Sequence, residues 1–220
     1  ETAHGMAAPC AYIMVDRATG ERAIVETAPP DFPSFSGRVA EDLWNRTLSV
    51  YFDGHEVEAS IAIAVEAARR GIPTLTDAEV LTDGTRELLT RVNTAIVPRA
   101  LAVDLAGSSA PEDMLRALAE LGGTAHVVTM GEEGAVGAIA GEAVHFVPAF
   151  GCTAIDTTGA GDAFHAGFLF ADLAGAAFPD AMAFAARVAA AACEVKGANL
   201  GVDRLAALAA SFNRETSISE

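Results

Sequence analysis

The sequence predicts an α/β fold, with helices on both faces of a mostly parallel sheet. Two observations carry this. From about residue 40 onward, short β-prone runs alternate with longer helical patterns. Each run also closes on glycine, proline or a polar turn residue. That succession implies strands joined by crossover helices, and hence a parallel sheet covered on both sides.

The elements follow in order. Tyr12–Asp16 and Glu21–Glu26 flank the turn Arg17-Ala18-Thr19-Gly20 and read as a hairpin. Residues 28–33 (Ala-Pro-Pro-Asp-Phe-Pro) form a loop or linker. Leu48–Phe52 is a short strand. Val57–Arg70 reads helical and closes at Gly71 and Pro73. Thr74–Thr76 is again strand, Thr85–Val92 helix and Thr94–Val97 strand. Pro111–Leu121 has an acidic first turn and a Gly122-Gly123 stop, the usual marks of a helix with both ends defined. Ala125–Thr129 is the next strand, and Val136–Ile139 with Ala143–Val147 adds a hairpin about Gly141-Glu142. The remainder reads as helices over about 161–175, 179–195 and 202–212. The first is apolar nearly all round (Phe164, Phe168, Leu169, Phe170, Leu173), which predicts a buried helix. The second is rich in alanine, which permits close approach of a neighbouring helix or of a flat ligand.

Composition narrows the function. The 220 residues are 51% hydrophobic and 20% charged, enough for a sizeable core. No uninterrupted apolar run reaches about eighteen residues, so a membrane span is not expected. A net charge of −16 argues against a nucleic-acid partner, which needs a basic face, and suits a cytoplasmic protein. Cys10, Cys152 and Cys193 show no metal spacing and read as reduced thiols, with Cys152 expected to be a small buried residue.

The chemistry concentrates in Asp156-Thr157-Thr158-Gly159-Ala160-Gly161-Asp162-Ala163-Phe164. Here a glycine turn opens an apolar helix. Gly159 and Gly161 let the backbone approach a ligand, while the helix N-terminus offers unpaired N–H groups and the positive end of the dipole. Asp162, in the first helical turn, can accept a proton from a hydroxyl attacking a phosphate. Upstream, Val127-Val128-Thr129-Met130-Gly131-Glu132-Glu133-Gly134 runs from a strand into a glycine-punctuated turn, at the strand end where open α/β sheets bind ligands. Asp53-Gly54-His55 follows another strand end. His55 there could meet a substrate hydroxyl, or the run could simply be a capping turn.

These motifs closely resemble the ribokinase-like carbohydrate kinases, the phosphofructokinase-B family, with ketohexokinase-like and sulfofructose-kinase-like branches the nearest in character. The resemblance implies a ribokinase-like, Rossmann-type fold with a small β hairpin or lid element near the N-terminus. It divides the chain into a lid remnant over 1–35, a nucleotide-binding domain over 36–213 and a polar tail over 214–220. It makes Asp162 the catalytic base, also contacting substrate, and makes Gly159, Ala160 and Gly161 the anion hole. It places Thr129, Gly131 and Gly134 along the nucleotide and sets Ala186 and Ala189 of the alanine-rich helix beside the adenine. Asp156, Thr158 and Gly197 would hold a monovalent cation, K⁺. Asp156 as a helix or turn cap is the alternative.

Its implied activity is ATP- and Mg²⁺-dependent phosphorylation of a sugar hydroxymethyl group. Alternatives are a nucleoside kinase or a catalytically silent binding or regulatory protein. A homodimer through the lid region would be consistent with it. One departure stands out: many relatives carry Asn-x-x-Glu after the strand ending here at Val97, to organise Mg²⁺, whereas this chain has Arg99-Ala100-Leu101-Ala102. Arg99, Arg187 and Lys196 could neutralise phosphates but stand in no motif. The family's sugar-binding aspartate and Gly-Gly-x-x-x-Asn element precede the first hairpin. The only Gly-Gly here, Gly122-Gly123, ends a helix, so a leading segment is expected to be missing from the chain.

Overall fold

The computed structural model describes residues 10–15, 22–27, 37–197 and 199–216. The chain divides into two compact units, residues 1–38 and 39–220, each described by itself. In the first, β1 (Cys10–Val15) pairs antiparallel with β2 (Arg22–Thr27), Cys10 opposite Thr27. The expected hairpin is present. Its turn and the proline-rich 28–33 segment lie outside the described residues.

The second unit is one six-stranded sheet. Parallel neighbours β3 (Val50–Phe52), β4 (Thr74–Asp77), β5 (Thr94–Pro98) and β6 (Ala125–Thr129) are extended by antiparallel β7 (Ala135–Ile139) and β8 (His145–Val147). The helices are α1 (Glu41–Trp44), α2 (Val57–Arg70), α3 (Asp83–Leu89), α4 (Arg99–Ala106), α5 (Pro111–Leu121), α6 (Ala160–Leu173), α7 (Phe178–Cys193) and α8 (Val202–Thr216). None among the described residues is long and apolar enough to cross a membrane.

Strand alternation sends successive side chains to two separate cores. Ala95, Val97, Val128 and Val136 join Leu88, Leu101, Met114 and Leu118 from α3, α4 and α5. Ile96, Val127 and Ala135 join Phe164, Phe168, Met182 and Ala185 from α6 and α7 on the other face. With both faces covered, β4 is buried at every position, so polar groups with chemical work to do are pushed to the strand ends. Close packing of α6 on α7 depends on Gly167, where an added Cβ would come 2.9 Å from the Ala185 Cα.

Several expectations are corrected. Helices α1 and α4 were not expected from the sequence. α1 is a single turn whose Trp44 is buried under the Arg70 guanidinium, 5.1 Å from the ring centre. α4 starts directly from the end of β5, with Pro98 as its N-cap, leaving no intervening turn to announce it. α3 begins at Asp83 because Thr82 and Thr85 form a reciprocal capping box ahead of it. α8 runs on to Thr216. α6 is not buried all round. Phe164, His165 and Phe168 face inward, whereas Phe170 is 40% exposed and rests on Phe184 and Phe212.

Gly167→Val should destabilise the fold by about 1–3 kcal/mol, because the obstructing atom is backbone and cannot swing aside. Denaturant unfolding should show a lower midpoint with an unchanged slope. A midpoint equal to wild type would show that α6 and α7 are not so closely packed.

Candidate active site

The carboxyl ends of β3, β4, β5 and β6 lead into Asp53, Asp77, Arg99 and Met130, so one edge of the sheet gathers the groups that strand burial excludes. Over this edge stands the N-terminus of α6. Gly159 takes the left-handed conformation (φ 73°) that turns the chain into the helix. The Ala160 N–H is turned back to the Thr157 carbonyl at 3.2 Å, whereas the helix ladder offers no acceptor to the N–H groups of Gly161 and Asp162. An anion cradle at this turn would therefore be narrower than the sequence alone suggests, because Ala160 already has a partner. A Cβ on Gly161 would meet no protein atom within 4 Å. Nothing in the packing demands glycine there, and the space is open to a ligand. Asp162 follows, exposed, in the first helical turn.

Beneath this turn lies a polar cluster that reasoning from sequence missed. His165 is 4% exposed and Asp77 7%. The His165 ring places Nδ1 2.8 Å from the Gly161 carbonyl and Nε2 3.1 Å from the Ile96 carbonyl, with Asp77 Oδ2 3.4 Å from Nδ1. The Tyr51 hydroxyl donates to Asp77 Oδ2 at 3.3 Å, and its ring meets the imidazole edge-on. Burial pushes the Asp77 carboxyl up, and the nearby His165 ring partly offsets this. Burial, then the Asp77 charge, also pushes the Tyr51 hydroxyl up, so it serves as a donor. Two signals could have found the cluster: an aspartate ending an otherwise buried strand, and a lone histidine on the inner face of an apolar helix.

Asp156, Thr158 and Gly197, far apart in sequence, are brought together. The Asp156 carboxylate accepts the Thr158 N–H at 2.9 Å and the Gly197 N–H at 2.9 Å. Those bonds, Thr158 first, hold its carboxyl down at about 2. The Ile155 and Asp156 N–H groups in turn cap the last turn of α7 through the Cys193 carbonyl. The geometry is that of a turn clamp, closed by one N–H on each carboxylate oxygen.

The remaining candidate residues are more dispersed. Thr129 is half-buried at the end of β6, paired with Pro98 and Ala135. Gly131 opens a 3₁₀ turn over Gly131–Glu133 and has open space where a side chain would stand. Gly134 has a packing reason, since a Cβ would lie 2.1 Å from the Val147 carbonyl. Ala186 is buried in the second core and Ala189 half-buried at its margin. His55 is exposed, and its N–H donates to Asp53 Oδ1 at 3.0 Å, the turn bond expected of an Asp-Gly cap. Cys152 is exposed rather than buried, because it lies on the coil before α6, beside the Cys193 thiol. Arg99 is engaged bidentately by Glu133 at 2.6 and 2.7 Å, Arg187 donates to Ser211, and Lys196 is exposed near Asp156. Among the described residues no group of three or more His, Cys, Asp or Glu side chains could hold a metal ion.

Comparison with known proteins gives a family and a fold. The model of the pfkB family carbohydrate kinases matches residues 8–204. A fructokinase from Klebsiella pneumoniae is 43% identical over 84 residues, 36% of this chain and only 27% of that protein. Among solved structures, a candidate ribokinase from Agrobacterium tumefaciens superposes with a TM-score of 0.83 at 24% identity, covering 97% of this chain and 70% of the other. Arabidopsis thaliana ribokinase complexed with ribose and ATP gives 0.73 at 21%, covering 90% and 68%. Adenosine kinase from Sinorhizobium meliloti gives 0.77 at 24%, covering 92% and 66%. At these identities the structures establish the fold alone.

The Asp156 clamp has a definite acid limit. Its folded value is depressed below the ordinary 3.8, so whatever stability it contributes is full above that value and lost as pH falls through about 2. The amide signals of Thr158 and Gly197 should shift together through about pH 2. Midpoints near 3.8 would show the clamp is not formed in solution.

Proposed function

Because the chain belongs to the pfkB family of carbohydrate kinases, we propose that it transfers the γ-phosphoryl group of ATP to a hydroxymethyl group of a sugar or sugar derivative. The observation that carries this is the exposed Asp162 carboxylate in the first turn of α6, beside Gly161 and its open space. Support for the sugar comes from the fructokinase match, and for ATP from the ribokinase complexed with ribose and ATP.

ATP, when bound, supplies the phosphoryl group. Asp162 takes the proton from the attacking hydroxyl, and the N–H groups of Gly161 and Asp162 face the charge that develops during transfer. Positioning and electrostatics dominate such reactions, because the protein forms no covalent bond. Thr129 and Gly131, one strand along from β5 and so about 5 Å further, would border the phosphates. Ala189 would border the base, while buried Ala186 supports it from within the core.

Among the described residues no group of carboxylates forms a magnesium cage. Arg99–Ala102 carries no carboxylate, and Arg99 is committed to Glu133. No step is assigned to that ion. A monovalent cation fits better. The Asp156 oxygens, each with one N–H donor, retain lone pairs beside the 197 loop, where a positive ion would raise the potential of the anion site. A nucleoside acceptor is the second reading, favoured by the likeness to adenosine kinase. ADP release measured against ketoses, aldoses and nucleosides separates the two acceptors, and no release with any of them would count against both.

Asp162→Asn removes the proton acceptor with little change of shape. Turnover should fall roughly 10²–10⁴-fold while nucleotide affinity by calorimetry stays near wild type. A variant retaining more than half the wild-type kcat would rule out the base role. The cation assignment predicts faster turnover in K⁺ than in Na⁺, a dependence that Asp156→Ala abolishes. Equal rates in both salts would remove the cation while leaving Asp162 untouched.

A further inference from the structure

We propose that His165 is held as an imidazolium by Asp77 and polarises the Gly161–Asp162 peptide, making it the positioning residue for the anion site and for Asp162. The link to Asp162 as base rests on the kinase reading above, whereas the charge on the ring does not.

The argument begins with hydrogen count. Both ring nitrogens of His165 face backbone carbonyls, Gly161 at 2.8 Å from Nδ1 and Ile96 at 3.1 Å from Nε2. A carbonyl oxygen only accepts, so each nitrogen must present a hydrogen. A neutral imidazole has one. Its bare nitrogen would then point a lone pair at a carbonyl lone pair from a ring that is almost wholly buried. The doubly protonated ring satisfies both contacts and carries a charge that a buried site tolerates only with a partner. Asp77 is that partner at 3.4 Å, itself steadied by the Tyr51 hydroxyl. The acidic groups Glu79 and Asp162, which act on Asp77, and Asp53, which acts on Tyr51, add negative potential of the sign that favours a cation here.

Covalent connectivity supplies the functional consequence. The Gly161 carbonyl and the Asp162 N–H belong to one planar peptide unit. An imidazolium donating to that carbonyl fixes the plane of the unit and draws electron density away from its N–H, strengthening it as a donor. The second bond, to Ile96 on β5, fixes the same ring to the sheet. His165 thus relates the first turn of α6 to the strand ends and delivers part of its charge to the anion site through the backbone.

The experiment is nitrogen-15 NMR of the full chain labelled in histidine and in backbone amides, at pH 7.5, for wild type and Asp77→Asn. In wild type both His165 ring nitrogens should carry hydrogen. Asp77→Asn should lose one of them and shift the Asp162 amide signal. In a sugar-kinase assay the same variant should lower kcat about tenfold, a weakened rather than deleted donor, with KM for sugar and ATP nearly constant. A neutral ring in folded wild type would overturn the proposal. So would an Asp162 amide that stays in place when the ring loses its charge, or a ring that stays doubly protonated without the Asp77 carboxylate. Should Asp77→Asn fail to fold, the wild-type spectrum still decides between charged and neutral ring. A wild type without turnover would count against the kinase reading, while the spectrum decides the charge independently.

Discussion

The N-terminus of α6 carries both the acid group and the free N–H donors of the site, yet a helix end has no inherent register with a sheet. Close packing at Gly167, where a Cβ would come 2.9 Å from the Ala185 Cα, seats α6 on α7. Polar contacts tie the same helix to the strand ends. The His165 ring, held to Gly161 within its own helix, reaches Ile96 on β5 and has Asp77 of β4 beside it. Hydrogen bonds have narrow optima in distance and angle. Together these contacts determine where Asp162 stands over the strand ends, and everything asked of that carboxylate depends on it.

The surroundings are electrostatically demanding. A chain of net charge −16 gathers Asp53, Asp77, Glu79 and Asp162 around one sheet edge, although the phosphate site proposed there needs positive potential. The strong bases offer little free charge there. Arg99, at the end of β5, is committed to Glu133, and Lys196 is exposed beside Asp156. What remains is supplied by backbone: the dipole of α6, the unpartnered N–H groups of its first turn, and a cation beside the Asp156 clamp if one binds. Backbone donors cost no reorganisation when charge develops, which is why their positioning outweighs the number of basic side chains nearby.

The two ends of the signature run do different structural work. Asp156 closes a loop, tying residues 156–158 to Gly197 and capping α7 through the Cys193 carbonyl. Asp162 opens a helix and is left exposed. A carboxylate that accepts an N–H on each oxygen is a poorer proton acceptor, and one without such bonds is a poor clamp. The environments of the two aspartates suit the separate roles proposed for them.

Much of the fold was legible in the sequence because its signals are local. Val57–Arg70, Pro111–Leu121 and Ala125–Thr129 are bounded by glycine, proline and acidic turns that act within a few residues, and the pfkB motifs are contiguous runs. The alternation of strand and helix fixed the class for the same reason. Local signals failed where tertiary contact decides. α4 follows β5 with no turn, and the exposed face of α6 looks as apolar as its buried one. Gly134 reads as a ligand glycine, and its packing against the Val147 carbonyl, which a Cβ would approach to 2.1 Å, is a tertiary fact that no local signal shows. The Tyr51–Asp77–His165 cluster draws on three separate elements, β3, β4 and α6, and no periodicity links them. The sequence by itself determined which residues could carry the chemistry. Only the tertiary structure decided which of them meet, because a buried polar group is defined by the partners that burial forces upon it.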